Sequence, residues 1–313
     1  MKQQLANIRE LGDISLAANV PCSLQPVLSS PTSPNAEELI EALEKENARG
    51  ARVFGQTMPR CFDLNMRLSE TSMLLYALPR WKKIMDLPRE QRLEQFKEQK
   101  SELVNEMKDA KGMSGSIPFL KVGSVKSDEN QRYQGQYLGS IAQEENKELG
   151  EVILDLSIRD NLDTEFQLQN VINADKQAVA KIVSHPLCHF GASDAGAHIT
   201  QFCGTGDTSH LLQHYVRETS TFSLEEAIHK MTGELAVDWG LADRGTLEEG
   251  KAADIVIFNS ETVSVGKEEF VDDFPGEARR YVRKSEGYDV VIVNGAIAYQ
   301  DGRYTETLNG RVV

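Results

Sequence analysis

Two short apolar strands separated by one amphipathic helix constrain this chain more than any other feature. CSLQPVL (Cys22–Leu28) alternates apolar residues between prolines, and ARVFGQTM (Ala51–Met58) is a second strand. Between them SPNAEELIEALEKENARG carries a Ser/Asn cap, early acidic residues, Leu39, Ile40 and Leu43 on one face, and Gly50 as C-cap. Strands joined through a helix pair in parallel, because a tight hairpin would reverse the chain. Residues 1–15 read as the tail of a preceding helix.

The rhythm then breaks. LPRWKKIMDLPREQRLEQFKEQKSELVNEMKDA is helical, interrupted at Pro88, with Leu93, Phe96, Leu103 and Met107 as its apolar stripe. It anchors an expected helical insertion over 59–150, with one short strand, FLKVGSV, and further helix over 136–161. FQLQNVI (Phe166–Ile172) reads as a third strand of the first type, followed by helix DKQAVAKIVSHP and a fourth strand, CHFGAS. TSHLLQHYVRE and SLEEAIHKMTGELAVDWG are two further helices, the second opened by a Ser223/Glu226 capping box. From residue 243 the chemistry is that of strands: a buried IVIF run after a turn at Gly250, then DVVIV and AIAYQ around Asn294-Gly295, with the next turn at Asp301-Gly302. An α/β part over 1–242 is therefore expected before an all-β part over 243–313.

Chemistry concentrates in GASDAGAH, Gly191–His198. A strand ends there and presents one carboxylate, Asp194, among small residues that let a substrate come close. The competing role for Asp194 is an Asx-turn or a helix N-cap. The net charge of −14 argues against nucleic acid or an anionic membrane as the main partner. No apolar run approaches the ~20 residues that span a bilayer. The first residues lack a secretory h-region, and the four cysteines show no CxxC pair, so reduced thiols and a cytoplasmic setting are expected. No glycine pattern matches a phosphate cradle.

Taken together, GASDAGAH, ETSTFSLEEAIHKMTGELAVDWGLADRGTLEEGKAADIVIFN, DDFPGEARRYV and DVVIVNGAIAYQDG resemble the C-terminal half of the amidohydrolase superfamily, in its N-acyl-D-amino-acid deacylase (D-aminoacylase) branch. The resemblance runs over about 20–313 and is strongest from Asn161. It implies a (β/α)8 TIM-type barrel flanked by a small β-sandwich, of which this chain holds about four barrel strands and part of the sandwich. It implies hydrolysis of a small-molecule amide, with a divalent metal, zinc foremost, and with Asp194 as metal-facing carboxylate and proton shuttle. A metal would lower the pKa of water toward ~7, and a carboxylate would protonate the leaving nitrogen. A cyclic-amide hydrolase or deaminase of the same superfamily is the alternative.

The family's first-strand His-x-His pair is absent from this sequence. Where relatives place metal-binding histidines on strands aligned as five and six, this chain shows Gln25 and Gln56, with Cys22 nearby. Neutral amides are poor zinc ligands, and four strands cannot close a barrel. A fragment, split-gene half or pseudo-enzyme that needs a missing N-terminal half or a second copy is thus a further expectation. Substrate contacts are expected from Gln56, Arg60, Asn173 and His198. Arg60 offers a bidentate fork for a carboxylate, or a partner for an acidic neighbour. His198 can meet substrate or metal, or satisfy a loop carbonyl. His185 reads as structural, and the i, i+4 pair His210 and His214 as a half-exposed helix face. Gly204–Asp207 reads as a surface loop and Asp254 as a turn residue.

Overall fold

In the computed structural model, which describes residues 2–29, 36–191, 193–276 and 278–312, the opening strands pair as their helix demands. Helix α1 (Lys2–Ala18) leads into strand β1 (Cys22–Leu24), helix α2 (Ala36–Ala48) and strand β2 (Val53–Thr57). β1 lies parallel to β2, with Cys22 opposite Val53 and Leu24 opposite Gly55. It stops short of Pro26, which has no N–H to give a ladder. Leu39 and Leu43, one turn apart on α2, are buried against Ile8, Leu24 and Val53. Gly55 faces the same layer, where a Cβ would come within 2.5 Å of a Val27 methyl. The Ser33 and Asn35 caps expected for α2 lie outside the described residues.

After β2 the chain leaves this sheet. It forms β3 (Phe62–Met66), α3 (Pro79–Met85), α4 (Arg89–Glu98), α5 (Lys100–Met107), β4 (Lys121–Val122), α6 (Leu138–Glu144), α7 (Leu149–Arg159) and β5 (Phe166–Ile172). The break at Pro88 separates α3 from α4, and Phe96, Leu103 and Met107 are buried as their spacing requires. Two expectations need correction. FQLQNVI has the bounds read from the sequence, yet β5 is no member of the parallel sheet. It lies between β3 and β4, antiparallel to both. Alternation identifies a strand, but partner and direction come from long-range packing. The excursion is also more than helices laid on a sheet, since Trp81, Phe96, Phe166 and Leu64 belong to its own hydrophobic core. The Trp81 indole N–H donates to the Leu103 carbonyl at 3.1 Å, so the largest core side chain carries no unmet donor.

Helix α8 (Lys176–Ser184) brings the chain back, capped by the Asp175 carboxylate on the Gln177 and Ala178 amides. Strand β6 (Cys188–Phe190) then joins β2 in parallel, Gln56 opposite His189. This sheet holds three strands, β1-β2-β6, rather than four. Helix α9 (Asp207–His210) runs into a π-helix (Leu211–Glu218). Helix α10 (Leu224–Met231) opens with the expected Ser223/Glu226 capping box, and a break at Thr232 separates it from α11 (Gly233–Trp239).

The last third is β structure: β7 (Ile255–Phe258), β8 (Ser264–Phe274), β9 (Ala278–Glu286), β10 (Tyr288–Val293), β11 (Ala296–Gln300) and β12 (Arg303–Tyr304). Asn294 and Gly295 take φ of 46° and 79°, as the tight β10–β11 turn requires. The β8–β9 hairpin, not read from the sequence, pairs apart from the β12-β11-β10-β7 sheet and lies against the excursion. There Arg67 Nη2 is 2.7 Å from Glu165 Oε1 and the Tyr281 hydroxyl bonds to both, while the guanidinium stacks 4.2 Å from the Phe270 centroid. Arg279 adds bonds to Glu70 and Asp163, each at 2.9 Å.

Burial alone would raise the Glu165 pKa, but the Arg67 charge and the Tyr281 and Ser124 hydrogen bonds outweigh it and hold it below 4.5. A lowered folded pKa contributes stability above pH 4.5 that is lost as pH falls through the folded value. Urea unfolding should therefore show Glu165→Ala losing about 3–5 kcal/mol at neutral pH, from the unpaired Arg67. Glu165→Gln should lose part of the acid-side slope; a slope equal to the parent's would remove Glu165 from the acid response.

Candidate active site

Strand β6 delivers Asp194 to the C-terminal end of the parallel sheet. Its backbone sits at φ 53°, and its carbonyl accepts the Ala197 N–H at 2.9 Å. The turn's side-chain bond comes from Ser193, whose Oγ accepts the Ala195 N–H at 3.3 Å. The Asp194 carboxylate does not cap this turn. It is exposed, and its hydrogen-bond partner among the described residues is the Gln25 amide, donating at 3.4 Å. Ala192, within the same motif, lies outside the described residues.

Register places Ser23, Phe54, Gln56 and His189 on one face of the sheet. The Gln56 amide donates to Ser23 Oγ. Gly191 lets the chain pass beside it, since a Cβ there would fall 2.8 Å from Gln56 Oε1. Gln25, Gln56 and Asp194 are thus gathered at one strand end. His198 is exposed, with Nδ1 3.2 Å from the Gln201 amide rather than on a loop carbonyl.

A cavity of about 580 Å³ opens at Phe202 and Cys203; Asp194, Gln25, Gln56 and His198 are not among the residues that line it. Its walls come from the end of β2, the β3–β5 sheet, the π-helix and the β8–β9 hairpin. Gly204 closes the gap to the turn, where a Cβ would meet the Ser193 carbonyl at 2.1 Å. Arg60 and Asn173 both line this cavity, but with their polar groups engaged. Arg60 Nε binds Asp207 Oδ1 at 2.6 Å and Nη2 donates to the Cys203 carbonyl at 3.2 Å. Of the two readings open for Arg60, the acidic neighbour is the one formed. Asn173 is buried, accepts the Ser29 N–H at 2.9 Å and donates to the Met58 carbonyl at 3.0 Å, so it braces the ends of β1 and β2.

Asp207, the partner of Arg60, and the cavity-lining Glu268, Arg283 and His210 are not among the site residues expected from the sequence. Asp207 seemed a surface-loop residue, and burial now raises its pKa despite the Arg60 charge. Glu268 is likewise raised by burial against the nearby Arg283, 3.0 Å away. His210, the last residue of α9, stacks on His214 of the π-helix at 5.2 Å, and burial, then the His214 and Arg60 charges, lower the His210 pKa to about 4. Glu268 and Arg283 sit on a hairpin with no apolar alternation to announce it.

The donor set around Asp194 does not fit a zinc ion by itself. It offers one carboxylate and the carboxamides of Gln25 and Gln56. Cys22 shares the Val53 side of the sheet, the side opposite Gln56. Among the described residues, the group able to gather metal ligands is His189, Glu234 and Asp238, with donor atoms within 4.8 Å of one another. There Lys230 Nζ already stands 2.9 Å from Glu234, and His189 Nε2 is 2.7 Å from Asp238. His189 Nε2 and Glu234 are thus engaged, while the buried His189 Nδ1 has no hydrogen-bond partner among the described residues.

The amidohydrolase family model matches residues 126–299. The N-acyl-D-aspartate deacylase of Alcaligenes xylosoxydans xylosoxydans is 34% identical over 143 residues, 44% of this chain and 26% of that protein. The N-acyl-D-glutamate deacylase of the same organism is 35% identical over 129 residues, 40% and 24% of the two chains. A solved D-aminoacylase matches 96% of this chain and 51% of its own, with TM-score 0.53 at 21% identity. The Bordetella bronchiseptica N-acyl-D-glutamate deacylase, complexed with zinc and a phosphonate inhibitor, matches 95% and 51%, with TM-score 0.55 at 18% identity. The chain spans about half the length of these solved structures. They share its mixed α/β fold, and the D-aminoacylase resemblance carried by the GASDAGAH-to-VNG residues is borne out.

His210 supplies a test of the cavity's burial. An unfolded histidine takes its proton near 6.5 and the folded one only near 4. Between those values the unfolded chain binds more protons, so stability should fall as the medium is acidified. Proton NMR should show the His210 ring neutral at pH 5, and His210→Gln should flatten that part of the stability profile. A ring titrating near 6.5 would mean the cavity is open to water at this point.

Proposed function

The chain belongs to the amidohydrolase family, and on that premise we propose that it carries the C-terminal portion of a hydrolase of N-acyl-D-amino acids. The observation behind this is the Asp194 carboxylate, released from turn capping at a strand end, on a turn whose backbone packs against Gly204, the neighbour of the cavity-lining Cys203. An amide nitrogen leaves only when protonated. Asp194 takes the proton from the attacking water and hands it to that nitrogen, and the Gln25 amide steadies the carboxylate. Gln56 supports the strand end from Ser23. Arg60 and Asn173 shape the cavity through the bonds they already make, and His198 is exposed four residues beyond Asp194.

In this reading β1, β2 and β6 are one arc of a (β/α)8 barrel. Since β2 pairs directly with β6, they take places six, seven and eight, which shifts β1 and β2 on from five and six. The β7–β10–β11–β12 sheet, within an all-β part over 243–313, is one layer of a β-sandwich. No residue of those strands is buried, although the sheet is aliphatic on both faces, with Val256 at 49%, Ile257 at 47% and Ile297 at 41% exposure. A sheet apolar on both sides is built to be covered. In this reading the cover, and the imidazole or thiolate donors a divalent metal requires, come from the half of the family fold that these residues do not span. When bound, the metal supplies acidity to water.

Elemental analysis of the purified chain should find zinc well below one equivalent, and the chain alone should not turn over N-acetyl-D-amino acids. Co-assembly with a family N-terminal half should restore turnover, and Asp194→Asn should then lower it by about 10²–10⁴-fold. Stoichiometric zinc with turnover in the chain alone would show the site to be complete. Undiminished turnover in the Asn variant would remove Asp194 from the chemistry.

A further inference from the structure

We propose that buried Gln201 fixes the proton of His198 on Nε2, which makes His198 a hydrogen-bond donor to an oxygen of the substrate rather than a base or a metal ligand. The substrate contact rests on the Asp194 turn being the reaction centre; the placing of the proton does not.

Gln201 is 1% exposed and ties three segments together. Its main-chain carbonyl accepts the Asn65 N–H of β3 at 2.7 Å, and its N–H donates to the His198 carbonyl at 2.7 Å. Its side-chain Oε1 accepts the Met73 N–H at 2.9 Å. Met73 is the first residue of a 3₁₀ turn, Met73–Leu75, so that N–H has no acceptor inside the turn. A backbone N–H can only donate, and it therefore claims the oxygen end of the Gln201 carboxamide. The NH₂ end is left to face His198 Nδ1, 3.2 Å away. An amide NH₂ is itself a donor, so Nδ1 has to accept. In a neutral imidazole whose one nitrogen accepts, the other carries the proton. That other nitrogen, Nε2, has no hydrogen-bond partner among the described residues, and the ring is exposed.

The position of this free N–H gives it a task. Asp194 and His198 both hold left-handed backbone, at φ 53° and 45°, a region non-glycine residues rarely enter outside turns and functional sites. The Asp194 carbonyl accepts the Ala197 N–H, which closes a turn directly before His198. One short segment thus carries an exposed carboxylate able to take a proton and an exposed N–H able to give a hydrogen bond. A second base there would compete with Asp194 for the proton of water, whereas a donor steadies negative charge on the substrate. A metal would need a bare ring nitrogen, but the Nδ1 lone pair is committed to Gln201 and Nε2 is protonated.

Long-range ¹H–¹⁵N NMR of the full chain at neutral pH tests this, the His198 ring being identified by its loss in His198→Asn. Nε2 should be protonated and Nδ1 bare. Gln201→Glu, whose carboxylate accepts where the NH₂ donated, should place a proton on Nδ1. N-acetyl-D-alanine should shift the Nε2–H signal, and one equivalent of zinc should leave both nitrogens unmoved. N-acetyl-D-alaninamide separates the two oxygens: a shift with the acid alone identifies the α-carboxylate as acceptor, and a shift with both identifies the acyl oxygen. A proton on Nδ1 in the parent chain, or a ring indifferent to Gln201→Glu, overturns the positioning role of Gln201. A ring that moves with zinc overturns the exclusion of metal, and a ring that ignores both N-acetyl compounds overturns the substrate contact. None of these readouts needs turnover, so a failure of the Asp194 reading shows separately, as undiminished turnover in Asp194→Asn.

Discussion

The Arg67 guanidinium, buried between Glu165, Tyr281 and the Phe270 ring, is the contact on which the polar side of this molecule depends. The β8–β9 hairpin is charged along much of its length and has little apolar surface with which to hold itself down. An ion pair with ring stacking does what aliphatic burial does elsewhere, and Arg279 repeats it on Glu70 and Asp163. Buried pairs of this kind add little net stability but are costly to break, so they favour one docking geometry over its neighbours. That geometry carries Glu268 and Arg283, on the same hairpin, to the wall of a cavity that Arg60, held by Asp207, also lines.

Close backbone approach does the corresponding work around Asp194. Gly191 passes against the Gln56 amide and Gly204 against the Ser193 carbonyl, in spaces a methyl group would fill. The turn is thereby pressed onto the sheet end and the cavity edge together, and Ser193 takes the capping duty. Among the described residues the carboxylate is left with one long amide contact, from Gln25. The role proposed for Asp194 rests on that freedom.

Coverage separates the two main sheets. The parallel sheet packs its Val53, Gly55 and Cys188 side under α1, α2 and α8, and the residues there are fully or nearly fully buried. The four-stranded sheet has the same kind of aliphatic side chains, and none of the described residues in its strands is buried. The contrast sets the four-stranded sheet apart from the excursion, which has a hydrophobic core of its own.

What the sequence determined by itself was local. Helix α2, the Asn294-Gly295 turn, the Ser223/Glu226 box, the bounds of FQLQNVI and the placing of Asp194 at a strand end all follow from interactions a few residues apart, where periodicity, capping and turn chemistry act. Tertiary structure alone decided that β5 joins β3 and β4, that a charged hairpin walls a cavity, that Arg60 is taken by Asp207, and that Asn173 ties backbone together instead of facing outward. The physical reason is range. Alternation marks a strand without naming its partner. A charge in the sequence does not disclose whether its counter-charge, 147 residues away for Arg60 and Asp207, will arrive first.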